Sequence, residues 1–352
     1  MMITYIYANR PEDQIRLQLR CRNLVEAFNR SGLARANLLT LEAFVQNTPE
    51  AQKLCAESDL LVIYRYLYGP VLTAIQYWKA REKKIIVDFD QAVNYLTPEM
   101  PDYSFWRQGS PLAGRNALEA PIDPLPLEQF RWGLGLVDAA TAASARLADD
   151  WSQFARVYEI PDYLNTSQYP LLEKTHKDEI WVGLGPRTQP ASFKNSGLAA
   201  ALEEVCWQFP QVRLILCGWE KAPDLKIDPK QIRLQAPRCF DDWVKILLNL
   251  DLGLAPVAGD YDLRLSQVNL FEFMLAKIPW VATEQGACQP LLSGRWVQNS
   301  PENWESAVLE TVEHLAVYQR KAAGEPFLFA LGQDLSVNLE KVLKVYSAIV
   351  AG

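Results

Sequence analysis

The chain has 352 residues, 49% of them apolar and 22% charged, with a formal net charge of −7. This is long for one hydrophobic core and comfortable for two, and it is too apolar for a disordered chain. The acidic balance, with no block of Lys and Arg, argues against a groove for nucleic acid.

The six cysteines, at 21, 55, 206, 217, 239 and 288, form no CxxC pair and read as reduced, cytosolic usage. His176 and His314 lie far apart in sequence, so no zinc or other metal site is expected. The opening MMITYIYANR is too short for a signal-peptide core, and no apolar run reaches about 20 residues. The expectation is a cytoplasmic protein without a transmembrane segment, able to touch a membrane from its periphery. The early arginines, Arg10, Arg16, Arg20, Arg22, Arg30 and Arg35, form either a patch for phosphates or anionic lipid or a solvated helix face.

Ile3 to Tyr7 reads as a strand, followed by an Arg-rich helix over Glu12 to Ser31 that Gly32 can stop. A short strand at Leu38 to Thr40 and a helix at Pro49 to Glu57 come next. A strand at Leu60 to Tyr64, a helix from Pro70 to Arg81 and a strand from Lys84 to Asp88 follow. Thr97 to Pro126 carries six prolines, Pro98, Pro101, Pro111, Pro121, Pro124 and Pro126, and reads as an excursion without long regular elements. A helix at Leu127 to Gly135, a strand ending at Ser144, a helix over ARLADDWSQF and a strand at Arg156 to Ile160 complete the first half.

Pro161 to Pro170 reads as a linker, after which the alternation restarts. Strands are expected at Glu179 to Gly183, Val212 to Cys217, Ile232 to Leu234, Asp251 to Val257 and Pro279 to Ala282, with helices between them. Helices near Pro301 to Gln319 and Ser336 to Ala348 close the chain. Short apolar strands alternating with helices predict an α/β fold of two Rossmann-like open parallel-sheet domains facing a central cleft. The expected domains are 1–165 and 175–330, with a C-terminal helix in 331–352 that can pack back on the first.

In such folds, polar groups beyond the carboxyl ends of strands line the ligand crevice. VGLGPRTQPASFKN offers Gly185 for close backbone approach, with Arg187 and Lys194 to bracket a diphosphate; a structural turn with surface cations is the alternative. GDYDLRLSQVNLFEFMLAKIP runs from a polar loop into a helix, with Ser266 near its start. Glu272 sits in the apolar turn FEFMLA and needs a cation, N–H donors or a ligand hydroxyl. Asp260, Asp262 and Arg264 can contact sugar hydroxyls or form a solvated loop. Asp88 and Asp90 end the strand IIVDFD and are candidates for acceptor binding or proton transfer.

IIVDFDQAV, VDAATAASARLADDW, VYEIPDYLN, WVGLGPRTQPASFKN, VRLILCG, LDLGLAPV and SQVNLFEFMLAKIPWVAT together resemble the retaining GT-B glycosyltransferases, and their family 4 branch in particular. The resemblance implies a nucleotide-diphospho-sugar as donor substrate, no bound cofactor, and a polar, glycan or lipid-linked acceptor held mainly by the first domain. It implies that Glu272 holds the ribose, that Arg187 and Lys194 flank the diphosphate, and that Asp88 and Asp90 line the cleft. It also marks departures. Arg264 stands where many members carry a carboxylate, Asn269 where a subset carries a lysine, no histidine precedes His176, and ANRPEDQ replaces a glycine-rich first loop. These changes keep open a second expectation: a catalytically inactive GT-B protein that binds or assembles with a protein partner.

Overall fold

The structure is a computed structural model that describes residues 1–352 except 101, 112–120, 171–173, 177 and 285–293. Pro101, part of the proline-rich excursion, and Cys288 lie outside the described residues. The chain forms two compact units: Met1–Asp162 with Arg264–Ser266 and Leu335–Gly352, and Tyr163–Leu263 with Gln267–Asp334.

Unit 1 is built on a six-stranded sheet of β1 (Met2–Tyr7), β2 (Arg35–Thr40), β3 (Leu60–Tyr64), β4 (Lys84–Phe89), β5 (Ala139–Ala142) and β6 (Val157–Glu159). All pairings are parallel, in the order β2-β1-β3-β4-β5-β6. The strand order therefore reverses between β1 and β3, and the carboxyl ends of these two strands form its switch point. Residues of β3 and β4 are buried almost without break, as expected of a sheet covered on both faces.

The Arg-rich helix is not continuous. It opens with a 3-10 turn at Pro11–Asp13, passes through Gln14–Leu17, widens into a π-helical turn at Gln18–Arg22, and resumes as Asn23–Ser31. Gly32 ends it in the left-handed region at φ 72°. Two elements were not anticipated: a helix at Leu41–Gln46, capped by the Thr40 hydroxyl, and a helix at Tyr103–Gln108 inside the proline-rich stretch. The second exists because YSFWRQ is free of proline, and its Phe105 and Trp106 are buried. The closing helix Leu335–Ala351 belongs to unit 1, where the Tyr5 hydroxyl donates to that of Tyr346 at 3.1 Å.

Unit 2 carries β7 (Ile180–Leu184), β8 (Val212–Cys217), β9 (Ile232–Gln235), β10 (Leu252–Ala255), β11 (Trp280–Thr283) and β12 (Arg295–Val297). They pair in parallel in the order β12-β11-β10-β7-β8-β9. Counted from β7, this is the dinucleotide-fold order 3-2-1-4-5-6, and it reverses between β7 and β10. Val182, Leu184, Leu202, Val205, Leu214, Leu252 and Trp304 lie at the centre of the core. The helical stretch expected from Pro301 breaks at His314 into Pro301–Glu313 and Leu315–Ala322, and a further helix spans Glu325–Gly332.

Candidate functional site

Switch points concentrate ligands because neighbouring loops leave in opposite directions and open a crevice over the strand ends. In unit 2 the loop after β7 carries Gly185 and Arg187, the loop after β10 carries Asp262, and the helix Val268–Leu275 that follows carries Asn269 and Glu272.

Arg187, Asn269 and Glu272 form one hydrogen-bonded group. The guanidinium donates twice to Asn269 Oδ1, from Nε at 3.1 Å and Nη2 at 2.8 Å, and Nη2 also donates to Glu272 Oε2 at 3.1 Å. A Cβ on Gly185 would lie 2.6 Å from the Asn269 side chain, so glycine there lets Asn269 stand where it holds Arg187. Glu272 is 0% exposed. Its Oε1 accepts from the Trp243 indole N–H at 2.9 Å and from the Tyr169 hydroxyl at 3.0 Å. A buried carboxylate is tolerable only with such partners.

Lys194 does not join this group. It sits near the end of the short helix Pro190–Asn195, and its exposed side chain makes no hydrogen bond or ion pair with any described residue. Ser266 does not start the following helix, because that helix begins at Val268 with Gln267 in the cap position. Arg264 has other partners. With Ser266 it belongs to unit 1, where its guanidinium pairs with Asp150, donates to the Tyr95 hydroxyl at 2.7 Å and covers the Tyr95 ring 3.6 Å from its centroid.

Asp262 differs from the other carboxylates. Ser192 Oγ and the Ala258 N–H both donate to its Oδ2, and no cation among the described residues lies within ion-pair distance. Burial, opposed by the Ala258 N–H, pushes its pKa up to about 7. The folded state thus holds this proton more tightly than the unfolded chain. Stability is undiminished below the ordinary carboxyl pKa of about 4 and falls as pH rises toward 7. Asp262→Asn is expected to match the parent in thermal unfolding at about pH 3.5 or below. At pH 8 it should exceed the parent by about 2–3 kcal/mol, once partial exposure is discounted.

At the unit 1 switch point, the ends of β1 and β3 bring together Arg10, Asp13, Arg65 and Tyr66. Arg65, in the left-handed region at φ 70°, pairs with Asp13 and lies 3.4 Å from Asp90, and Tyr66 donates to Asp13 at 2.9 Å. Asp90 also accepts from the Tyr64 hydroxyl at 3.1 Å and faces Arg16 at 3.9 Å. Burial pushes the Asp90 carboxyl up, but Arg65, Arg16, Arg20 and the Tyr64 hydroxyl outweigh it and hold it below the usual range.

Asp88 lies inside the core of unit 1. It is buried, both its oxygens accept from the Nε–Nη2 edge of the Arg20 guanidinium, and it accepts from Thr141 at 2.6 Å. Arg20 itself is 2% exposed. The early arginines therefore divide: Arg20 is a core residue, Arg10 and Arg16 face the strand ends, and Arg30 and Arg35 are exposed.

Among the described residues no group of three or more His, Cys, Asp or Glu could hold a metal ion, and no helix is long and apolar enough to cross a membrane.

No protein-family model matches the sequence, and a search of curated proteins finds no match. Solved structures do resemble it. The sucrose-phosphate synthase of Thermosynechococcus elongatus aligns with a TM-score of 0.61 at 15% identity, covering 100% of this chain and 99% of that one. Anabaena HepE in complex with UDP-glucose aligns with a TM-score of 0.61 at 14% identity, covering 99% and 100%. The UDP-GlcNAc 2-epimerase of Neisseria meningitidis bound to UDP-GlcNAc aligns with a TM-score of 0.54 at 10% identity, covering 99% and 100%. The chain has a GT-B-like fold of two Rossmann-like parallel-sheet units.

Proposed function

We propose that the protein binds a nucleoside-diphospho-sugar at the switch point of unit 2 and transfers the sugar, with retention, to a polar, glycan or lipid-linked hydroxyl acceptor. The observation that carries this reading is the Arg187 guanidinium, held at the β7–β10 reversal by Asn269 and the buried Glu272. A guanidinium whose fork is fixed before the ligand arrives meets a diphosphate at low entropic cost. Lys194, without an ion-pair partner among the described residues, adds a second cation from the neighbouring helix. The fold is shared with proteins solved with UDP-glucose and UDP-GlcNAc, which supports a nucleotide sugar as the ligand.

In the reaction, the bond from the anomeric carbon to the diphosphate oxygen breaks and a bond to the acceptor oxygen forms. The acceptor's proton passes to a phosphate oxygen of the departing diphosphate. Arg187 and Lys194 stabilise the negative charge that grows on that diphosphate. Glu272 is the group proposed for the ribose hydroxyls, and Asp262 on the preceding loop the group proposed for the sugar. Asp90 and its arginine neighbours in unit 1 are the groups proposed for the acceptor.

A second reading, a binding or assembly protein without turnover, is favoured by one observation: Arg264 occupies the place of a carboxylate and is committed to Asp150 and Tyr95. Titration with a panel of nucleotide sugars, followed by assays for free nucleotide and for an epimerised sugar, separates the readings. Transfer predicts saturable binding, slow nucleotide release and no epimer. Binding without either product for any acceptor supports the second reading. Glu272→Gln should leave the protein folded and weaken donor binding about tenfold or more, since it removes the charge that orders Arg187 and the ribose. An unchanged titration would remove Glu272 from the site.

A further inference from the structure

A ribose hydroxyl can reach Glu272 only if something already there gives way. The carboxylate is completely enclosed, with the Tyr169 and Trp243 donors on Oε1 and the Arg187 donor on Oε2. These three donors are not equally fixed. Trp243 lies in the helix Phe240–Asn249 and is 0% exposed. Arg187 is held a second time by Asn269. Tyr169 follows a single 3-10 turn, Thr166–Gln168, is partly exposed, and rests its ring edge-on against Phe240 at 5.8 Å. Its hydroxyl gives the carboxylate an O–H donor, the same chemistry a ribose hydroxyl brings. Burial and the charge of Glu272 raise its pKa well above the ordinary phenol, so it remains a donor at any physiological pH.

We infer that Tyr169 occupies the ribose place on Glu272 and that a nucleotide must displace its hydroxyl to bind, which makes Tyr169 a determinant of ribose recognition. The inference rests on the nucleotide-sugar reading given above. Affinity is then the intrinsic affinity multiplied by the fraction of molecules in which Tyr169 has left Glu272. A nucleotide without ribose hydroxyls gains nothing from the displacement.

The test compares UDP with 2′,3′-dideoxyuridine diphosphate, titrated calorimetrically into the wild-type chain and Tyr169→Phe. Thermal unfolding serves as the check that the variant is folded. Phenylalanine keeps the ring against Phe240 and removes only the competing O–H. UDP affinity should rise about tenfold, the scale of one hydrogen bond to a charged group, while the dideoxy nucleotide binds both proteins equally. An unchanged or weaker UDP affinity in the variant overturns the inference. So does equal binding of UDP and the dideoxy nucleotide by both proteins, which would mean that Glu272 reads no ribose hydroxyl. Failure of both nucleotides to bind either protein overturns the nucleotide-sugar reading itself, and this inference with it. A variant-free arm uses hydrogen exchange of the wild-type chain. Protection over residues 166–170 should fall when UDP is added, and a rise contradicts displacement.

Discussion

Arg20→Met will lower the stability of the chain by about 3–5 kcal/mol, read as a fall in the denaturation midpoint without a change of fold by circular dichroism. The size follows from how many groups this one side chain satisfies. Arg20 donates to both oxygens of Asp88, to the Ile160 carbonyl at 2.6 Å and to Asp162 at 3.1 Å, and all three charged side chains are buried. Methionine fills much of the volume but leaves two carboxylates and a carbonyl without their donor. Desolvation is then uncompensated, which costs far more than the net worth of the original pair. The pH dependence gives a second readout. In the variant, Asp88 without Arg20 binds its proton more tightly folded than unfolded, so its penalty is present at pH 7 and fades as pH falls toward the ordinary carboxyl value. The deficit against the parent should therefore shrink between pH 7 and pH 5. A deficit constant across that range would show that Arg20 contributes by packing alone.

Arg20 also marks where reading the sequence stops. Six arginines spread over residues 10 to 35 look alike along the chain, and local pattern cannot say which one turns inward. The π-helical turn Gln18–Arg22 shifts the helix register there, and the partner carboxylate arrives from β4, 68 residues away. Strand alternation was legible because β-branched runs such as LLVIY and KIIV cover parallel sheets on both faces. The helix Tyr103–Gln108 was not, because counting prolines over a window hides a proline-free stretch long enough for one and a half turns. In the candidate site, Arg187 and Glu272 stood out as a cation in a Gly-containing loop and an acid in an apolar helix. That the two meet across 85 residues, and that Tyr169 and Trp243 meet the same acid across 103 and 29, are tertiary facts. A tyrosine in a linker and a tryptophan on a helix face carry no local sign that they will cap a carboxylate. Arg264 was legible as a departure, but its destination on Asp150 and Tyr95 was not.

Arg187→Ala should abolish nucleotide binding and, in the same molecule, destabilise unit 2. The stability loss arises because Glu272 keeps its burial and loses the guanidinium of Arg187, 3.1 Å from its carboxylate. Removing one member of a buried pair costs about 3–5 kcal/mol, and the Trp243 and Tyr169 donors that remain should hold the loss toward the lower end. The two effects can be separated by neutralising the orphaned acid. The double variant Arg187→Ala with Glu272→Gln removes the uncompensated charge, so it should recover much of the stability, by about 1–3 kcal/mol relative to Arg187→Ala alone. It should recover none of the binding, because no cation returns to the switch point. Arg187→Lys completes the series. An ammonium restores charge but cannot give the forked donation that Asn269 Oδ1 receives from Nε and Nη2, so stability should return further than affinity. If the double variant binds nucleotide as the wild type does, the cation at the β7–β10 reversal serves the fold and not a ligand.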